Sequence, residues 1–307
     1  MKAVIHIGMP KSGTSTIQAF LGMNAAALSR QGVLYDRFDP RFGSQFELPI
    51  IGLSAVGHAI QPEFERNLLG LHTVQDLRDY AKRYATHLSQ TLAARQGHEV
   101  FVGSSEHLFA WLDSVDQIRA LDRFLSERFV QVQYVLYLRA QDELVLSGYS
   151  EAIRRVHSHS LAQHVATGGK INLHVPVDRW VQAVGKDRLV VRILSRDVLQ
   201  NEDLLADFCH HTGIDADGLQ RPGRVNTALS AEEVAIRRAL NRILPRQARG
   251  GDMHPVYRVA LQTLLKFRRK RTPLTLTDAQ RAEILKKNAA QNELLRQEFF
   301  PGRPSLF

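Results

Sequence analysis

The chain opens on a short apolar run, residues 3–8, that breaks into Gly8-Met9-Pro10-Lys11-Ser12-Gly13-Thr14-Ser15-Thr16. Apolar residues then recur at Ile17, Phe20, Leu21, Ala25 and Leu28. A run apolar on both faces reads as a strand buried on both sides, whereas spacings of three and four read as one face of a helix over residues 14–30. Strand, tight glycine loop and helix together form the opening unit of a parallel sheet, because a parallel neighbour is reached only through a long crossover.

The unit recurs. Helical patterns cover 74–95, 115–128, 142–156 and about 202–211, and short β-rich runs lie at 99–103, 132–138 and 189–194. After Gly223 the strand patterns stop, and Ser230-Ala231-Glu232-Glu233 and Thr277-Asp278-Ala279-Gln280 each carry the capping-box signature that opens a helix. The expected fold is therefore α/β: a P-loop-type parallel sheet flanked by helices, followed by a mostly helical C-terminal third. A soft border near Pro222 divides an expected core, residues 1–222, from a helical region, 223–307.

With 307 residues, 44% of them hydrophobic, the chain has material for a sizeable core, which excludes disordered and fibrous classes. The single cysteine, Cys209, excludes an intrachain disulfide and a CxxC redox or zinc motif, and it fits a reducing compartment. No apolar stretch has the length of a membrane span, and residues 3–7 are too short for the apolar part of a signal peptide. The expectation is a soluble, cytoplasmic protein. The formal charge of +9 admits nucleic acid, anionic lipid or a small polyanion as partner. Basic residues are spread along the chain, with one dense run at Lys266-Phe267-Arg268-Arg269-Lys270-Arg271.

The first loop carries the chemistry. A glycine-flanked turn that feeds a helix N-terminus aims several backbone N–H groups at one point, and the helix dipole adds potential for an anion there. Hydroxyls at Ser12, Thr14, Ser15 and Thr16 add donors, and Lys11 adds a charge. The register departs from the triphosphatase loop GxxxxGK[ST]: Gly8 and Gly13 keep the spacing, but Thr14 stands where lysine belongs and Lys11 lies inside the loop. A strand ending in a magnesium-binding aspartate is also missing from the pattern.

A second anion-directed pair follows the run 132–138. Arg139 stands at its carboxyl end, where open α/β sheets bind ligands, and Ser147 lies two turns into the next helical stretch. The arginine fork suits a terminal phosphate.

The loop PKSGTS resembles the 5′-phosphosulfate loop of sulfotransferases that use 3′-phosphoadenosine 5′-phosphosulfate (PAPS). With Leu28–Tyr35, Ser104-Ser105-Glu106, Tyr137-Leu138-Arg139, Ser147, Val225-Asn226 and Phe300-Pro301-Gly302, the resemblance to a bacterial sulfotransferase family spans roughly residues 3–306. It implies that Lys11 stabilises the bridging oxygen as the sulfuryl group leaves. Ser12, Gly13, Thr14, Ser15 and Thr16 would bind the 5′-phosphosulfate, and Arg139 and Ser147 the 3′-phosphate. Arg224, together with Arg221, would close a basic loop over the nucleotide. No metal is expected in such a transfer, and no nucleic-acid partner.

Two candidates stand for the base that takes the acceptor proton. Glu106 follows the run 99–103 at a strand's carboxyl end, where it serves either as a partly desolvated base or as a first-turn helix glutamate. His58 is the rival, because related bacterial sequences tend to have a histidine in this region and imidazole titrates near neutrality. The acceptor is expected to be a hydroxyl, or an amine, on a glycan, glycolipid or small metabolite, the basic run Lys266 to Arg271 favouring a glycolipid or other anionic acceptor, and peripheral membrane contact is admitted. Two alternatives remain: a divergent P-loop nucleotide kinase, and a basic non-catalytic module that binds anions.

Overall fold

The computed structural model describes residues 1–223, 229–245, 253–266 and 271–307. Contacts divide the chain into two compact units. The first comprises Met1–Arg139 with Leu173–Val225, and the second Ala140–Asn172 with Asn226–Phe307.

The first unit is built on a parallel five-stranded sheet: β1 (Lys2–Ile7), β2 (Val33–Leu34), β3 (Val100–Ser105), β4 (Gln131–Leu138) and β5 (Leu189–Ile193), in the spatial order β2-β3-β1-β4-β5. The α/β class and the strand at each expected run are as the sequence indicates. The central strand explains why. Ala3 to Ile7 are all buried, so β1 is covered on both faces, as its uninterrupted apolar run requires. One sheet face packs Val4, Val102, Val135 and Tyr137 against Ile17, Phe20 and Leu21 of the helix Thr14–Met23 and against Leu205 and Phe208 of the helix Leu204–Thr212. On the other face Tyr134 meets Trp180 at 5.1 Å between ring centroids. There too a Cβ on Gly103 would lie 3.0 Å from Leu48 of the helix Glu47–Ala55.

The strand order sets the position of the site. The chain leaves β1 toward β2 on one side and passes from β3 to β4 on the other, so the carboxyl end of β1 is a topological switch point, where a crevice opens. Ile7 is level with Ser105 of β3 and with Leu136 of β4. Three loops therefore begin at neighbouring points: Gly8 onward, Glu106 onward and Arg139.

The second unit is helical. On the helix Gln141–Arg155, Val145, Tyr149 and Ile153 recur every four residues. They bury against Val165, Leu276 and Ile284 at one end and Leu229 and Val234 at the other. Asn288 of the helix Asp278–Phe299 ties the unit together, donating to Gly169 O and Ile284 O (both 2.8 Å) and accepting from Ile171 N (2.9 Å). Residues 140–172 group with the C-terminal helices, because the apolar face of Gln141–Arg155 is covered by them. Both capping signatures open helices, Ala231–Ile243 behind Ser230 and Asp278–Phe299 behind Thr277. No described helix is long and apolar enough to cross a membrane.

Candidate functional site

The loop after β1 is held in an unusual backbone shape. Lys11 has φ 66° and Gly13 φ 84°, two left-handed residues flanking Ser12. Glycine adopts that region freely, whereas a lysine there is strained by about 1–3 kcal/mol, a cost that persists only where surrounding bonds over-determine it. Here they do. Ser12 Oγ donates to Met9 O (2.6 Å), Thr14 Oγ1 donates to the same carbonyl (3.1 Å), and Ser12 N also points at it (3.2 Å). Gly8 N donates to Ser105 O (3.0 Å), continuing the ladder between β1 and β3.

Gly8 is required by contact and Gly13 by its left-handed backbone. A Cβ on Gly8 would fall 2.5 Å from Thr14 Cγ2 and 2.7 and 2.8 Å from the Cα and N of Glu106, and one on Gly13 would fall 2.3 Å from Leu204. The loop is thus clamped between the end of β3 and the first turn of Leu204–Thr212. That first turn is itself closed by Asp203, which accepts from Ala206 N (2.9 Å) and pairs with Arg221.

The helix that leaves the loop, Thr14–Met23, has Gly13 as its N-cap, no side-chain cap and no acidic residue in its first turn. Thr16 N and Ile17 N both meet Gly13 O (2.9 and 3.1 Å), and no acid of the helix's own first turn answers its positive dipole end. Of the hydroxyls expected to serve an anion, Ser12 and Thr14 are buried and turned inward onto Met9 O, Thr16 is half-buried and Ser15 is exposed. Lys11 is exposed.

Arg139 is brought to this loop. Its Nη1 donates to Lys11 O at 2.6 Å, joining residues 128 positions apart in sequence. A guanidinium has five N–H donors, so this bond engages one and fixes the plane in which the others lie. Ser147 lies on Gln141–Arg155 in the second unit and is half-buried. Arg224, Val225 and Asn226, as well as Phe267 to Lys270 of the basic run, lie outside the described residues.

The end of β3 is braced by a second loop, residues 36–45. Gln45 accepts from Ser104 N through Oε1 (2.5 Å), donates to Ser104 O through its own amide (3.2 Å) and donates to Asp36 O through Nε2 (2.6 Å). Ser44 Oγ lies 3.1 Å from Ser105 Oγ and 3.0 Å from His107 Nδ1. His107 lies tilted against Phe46, 4.2 Å between ring centroids, and burial pulls its pKa down to about 4. Burial holds His6 at about 3, with Nδ1 2.9 Å from Ser104 Oγ. Both rings are neutral under ordinary conditions and serve packing. Glu47, buried beneath this loop, accepts from Phe38 N (3.1 Å), and desolvation raises its pKa to about 7.

Glu106, half-buried, has its backbone against Gly8, and its side chain makes no cap for the short helix His107–Trp111 that follows. His58 is exposed and sits at the start of the helix Val115–Ser126. There Gln117 Oε1 accepts from Asp113 N (2.7 Å) and Ser114 N (3.1 Å), so its NH2 faces His58 Nδ1 at 2.9 Å. The braces Ser44, Gln45 and Glu47 carry no sequence signal beyond a Gly-Ser loop, because each acts through a contact remote in sequence.

The carboxyl edge of the sheet thus assembles an open helix N-terminus, an exposed lysine and a fixed arginine, with a carboxylate residue against the same loop. Positive charge and an uncapped helix start in one place can attract an anion. No protein-family model matches the chain. An uncharacterized protein of Archaeoglobus fulgidus is 24% identical over 192 residues, 61% of this chain and 50% of that protein, so the chain spans about half the length of the curated relative it matches. A solved sulfotransferase domain from the curacin biosynthetic pathway aligns with 94% of this chain and 96% of its own, at a TM-score of 0.40 and 8% identity.

Proposed function

We propose that the chain is a PAPS-dependent sulfotransferase that moves a sulfuryl group to the hydroxyl of a glycan, glycolipid or small metabolite. The observation that carries this reading is the bond from Arg139 to Lys11 O, which puts a phosphate-directed guanidinium beside an uncapped helix N-terminus. A triphosphatase loop needs one strong anion site, whereas a nucleotide phosphorylated at both 3′ and 5′ positions needs two. The residues present fit it. Lys11 and the leading amides of Thr14–Met23 would hold the 5′-phosphosulfate, and Arg139 the 3′-phosphate. The donor supplies an activated sulfur and a phosphate leaving group.

The chain's own residues do the rest. Positioning by two anion sites confines the donor to one orientation for in-line attack. The Lys11 ammonium and the loop amides stabilise the negative charge that develops on the departing phosphate oxygen. The bond from sulfur to that oxygen breaks, the bond from the acceptor oxygen to sulfur forms, and the acceptor proton passes to a base. Glu106 is preferred over His58 for that role, because its backbone abuts Gly8 of the loop that would hold the donor. Inward-turned Ser12 and Thr14 serve the loop's shape, leaving Ser15 and Thr16 as the hydroxyls to contact the donor.

The test compares nucleotides by thermal melting. A ligand at a hundred times its Kd stabilises the fold by about 2.7 kcal/mol. 3′-Phosphoadenosine 5′-phosphate is expected to raise Tm by several degrees, ADP much less, and Arg139→Ala to abolish that preference. The part given to Ser147 is read in the same assay with Ser147→Ala. Equal stabilisation by ATP with magnesium would instead support the kinase alternative, and sulfate transfer from radiolabelled PAPS to cell extract would identify the acceptor class.

A further inference from the structure

The net charge of the protein has one address. Residues 234–277 hold eleven Lys and Arg against one acid, Asp252, while the rest of the chain holds 29 against 30. Outside this stretch the protein is close to neutral, so the basic residues spread through the first unit are balanced where they stand. The helices Ala231–Ile243 and Pro255–Lys266 of the second unit carry five Lys and Arg, namely Arg237, Arg238, Arg242, Arg258 and Lys266, against Glu232 and Glu233 at the start of the first; Arg246, Arg249, Arg268, Arg269 and Lys270 lie outside the described residues.

These helices pack on each other through Leu240, Tyr257 and Leu261, with Tyr257 Oη donating to Asn241 Oδ1 at 2.6 Å. Asn241 Nδ2 in turn donates to Ile153 O (3.0 Å) and His157 O (2.7 Å), which anchors the pair to the end of Gln141–Arg155. Their outward faces are not polar. Ile243 is 74% exposed, Val256 55% and Val259 60%, and Val156, beside Asn241's anchor, is 51%. Val256 and Val259 lie three residues apart, on the side of their helix away from buried Tyr257 and Leu261, with exposed Arg258 between them in sequence.

Scattered exposed aliphatics are ordinary on a protein surface. Aliphatics set beside exposed arginines, in the stretch of sequence richest in net positive charge, have a more specific chemistry. They gain from hydrocarbon, while the arginines around them gain from anionic headgroups, the pairing that holds amphipathic helices in a membrane interface. A nucleic-acid surface would instead offer polar or aromatic side chains to bases, and aliphatic valine and isoleucine gain nothing by stacking.

We propose that the paired helices Ala231–Ile243 and Pro255–Lys266 form a docking surface for an anionic lipid bilayer, with Ile243, Val256 and Val259 entering the headgroup boundary and Arg242 and Arg258 contacting lipid phosphates and carboxylates. This surface is independent of the donor site, and its test separates the two. The full chain is sedimented with vesicles of phosphatidylcholine alone and with about one third phosphatidylserine added. Binding is expected only to the anionic vesicles and falls at least tenfold at roughly 0.5 M salt, where the screening length shortens to a few ångström.

Val259→Asp and Arg258→Glu, both at exposed positions, are each expected to lower vesicle binding about tenfold with unchanged thermal melting. The pair Lys82→Glu and Arg83→Glu on the helix Val74–Ala94 changes net charge as much or more and is expected to leave binding within about twofold. Lys11→Ala is expected to bind vesicles like the wild type. Equal binding to neutral and anionic vesicles would overturn the proposal. So would insensitivity to Val259→Asp, or tighter binding to a short RNA duplex that Val259→Asp leaves intact.

Discussion

Two loops leave the carboxyl edge of the sheet side by side and are built on opposite principles. In residues 36–45 side chains satisfy the backbone: Gln45 takes Asp36 O, Arg37 takes Phe42 O, Tyr35 reaches Gly43 O, and Glu47 takes Phe38 N. In residues 8–13 the hydroxyls turn inward onto a single carbonyl, and the helix beyond starts on a glycine with no cap. Elsewhere, Thr73, Ser114, Ser160 and Thr277 each close a helix with a full capping box. The helix at the switch point shares its lack of a side-chain cap and of a first-turn acid with His174–Val184, and differs from it in starting on a left-handed glycine. The helix Gln141–Arg155 also lacks a side-chain cap, but Asp142 and Glu143 in its first turn answer its dipole.

The largest expected effect tests the open loop. Lys11→Ala should lower sulfuryl transfer about a hundred- to a thousandfold while leaving the melting temperature nearly unchanged, since the side chain is exposed. Single-turnover assays with a saturating donor check this, and a loss confined to KM would reassign Lys11 to binding alone.

Next comes the closed loop. Burial raises Glu47 from 4.5 to about 7, so the protonated form favours the fold. That contribution is complete below pH 4.5 and is lost as pH rises through 7. Glu47→Gln, neutral throughout and still able to accept from Phe38 N, should remove that decline and be more stable than wild type at pH 8 by about 2–3 kcal/mol. Denaturant titrations at pH 5 and pH 8 measure it; parallel curves for the two proteins would show that Glu47 ionises at its ordinary value.

Where the loops meet, Gly8→Ala drives a methyl into the Glu106 backbone and should cost about 1–3 kcal/mol together with nucleotide binding. Ser44→Ala, which strips a hydroxyl from between Ser105 and His107, should cost about 1–2 kcal/mol. Ser15→Ala, at an exposed position, should change stability by less than about 0.5 kcal/mol and weaken only the donor. If Ser15→Ala destabilised the fold as much as Ser44→Ala, the contrast between the loops would fail.

Much of the fold was legible because periodicity is a local signal. The strands at 3–8, 99–103, 132–138 and 189–194 lie within a few residues of β1, β3, β4 and β5, and the helix expected at 74–95 is Val74–Ala94. The misses have physical causes. The helix read over 14–30 is broken at Asn24, whose side chain bonds Phe20 O and both donates to and accepts from the backbone of Gln220. β2 is two residues long and shows no period. The helix Glu47–Ala55 is buried at Leu48, Pro49, Ile50, Ile51 and Leu53, and a helix without a polar face has no amphipathic pattern to detect.

The amino-acid order alone determined the parallel α/β plan, the glycine loop at its first turn and the two capped helices near the C-terminus, because each depends on neighbours within about one turn or one strand. Only the tertiary structure decided that Arg139 reaches the carbonyl of Lys11, that Ser12 and Thr14 face inward, that residues 140–172 join the helical unit, and that the aliphatics of the basic helices point outward. Those outcomes depend on which distant surfaces cover one another. Hydrophobic burial is non-directional, and it acquires direction only once the strands are in register.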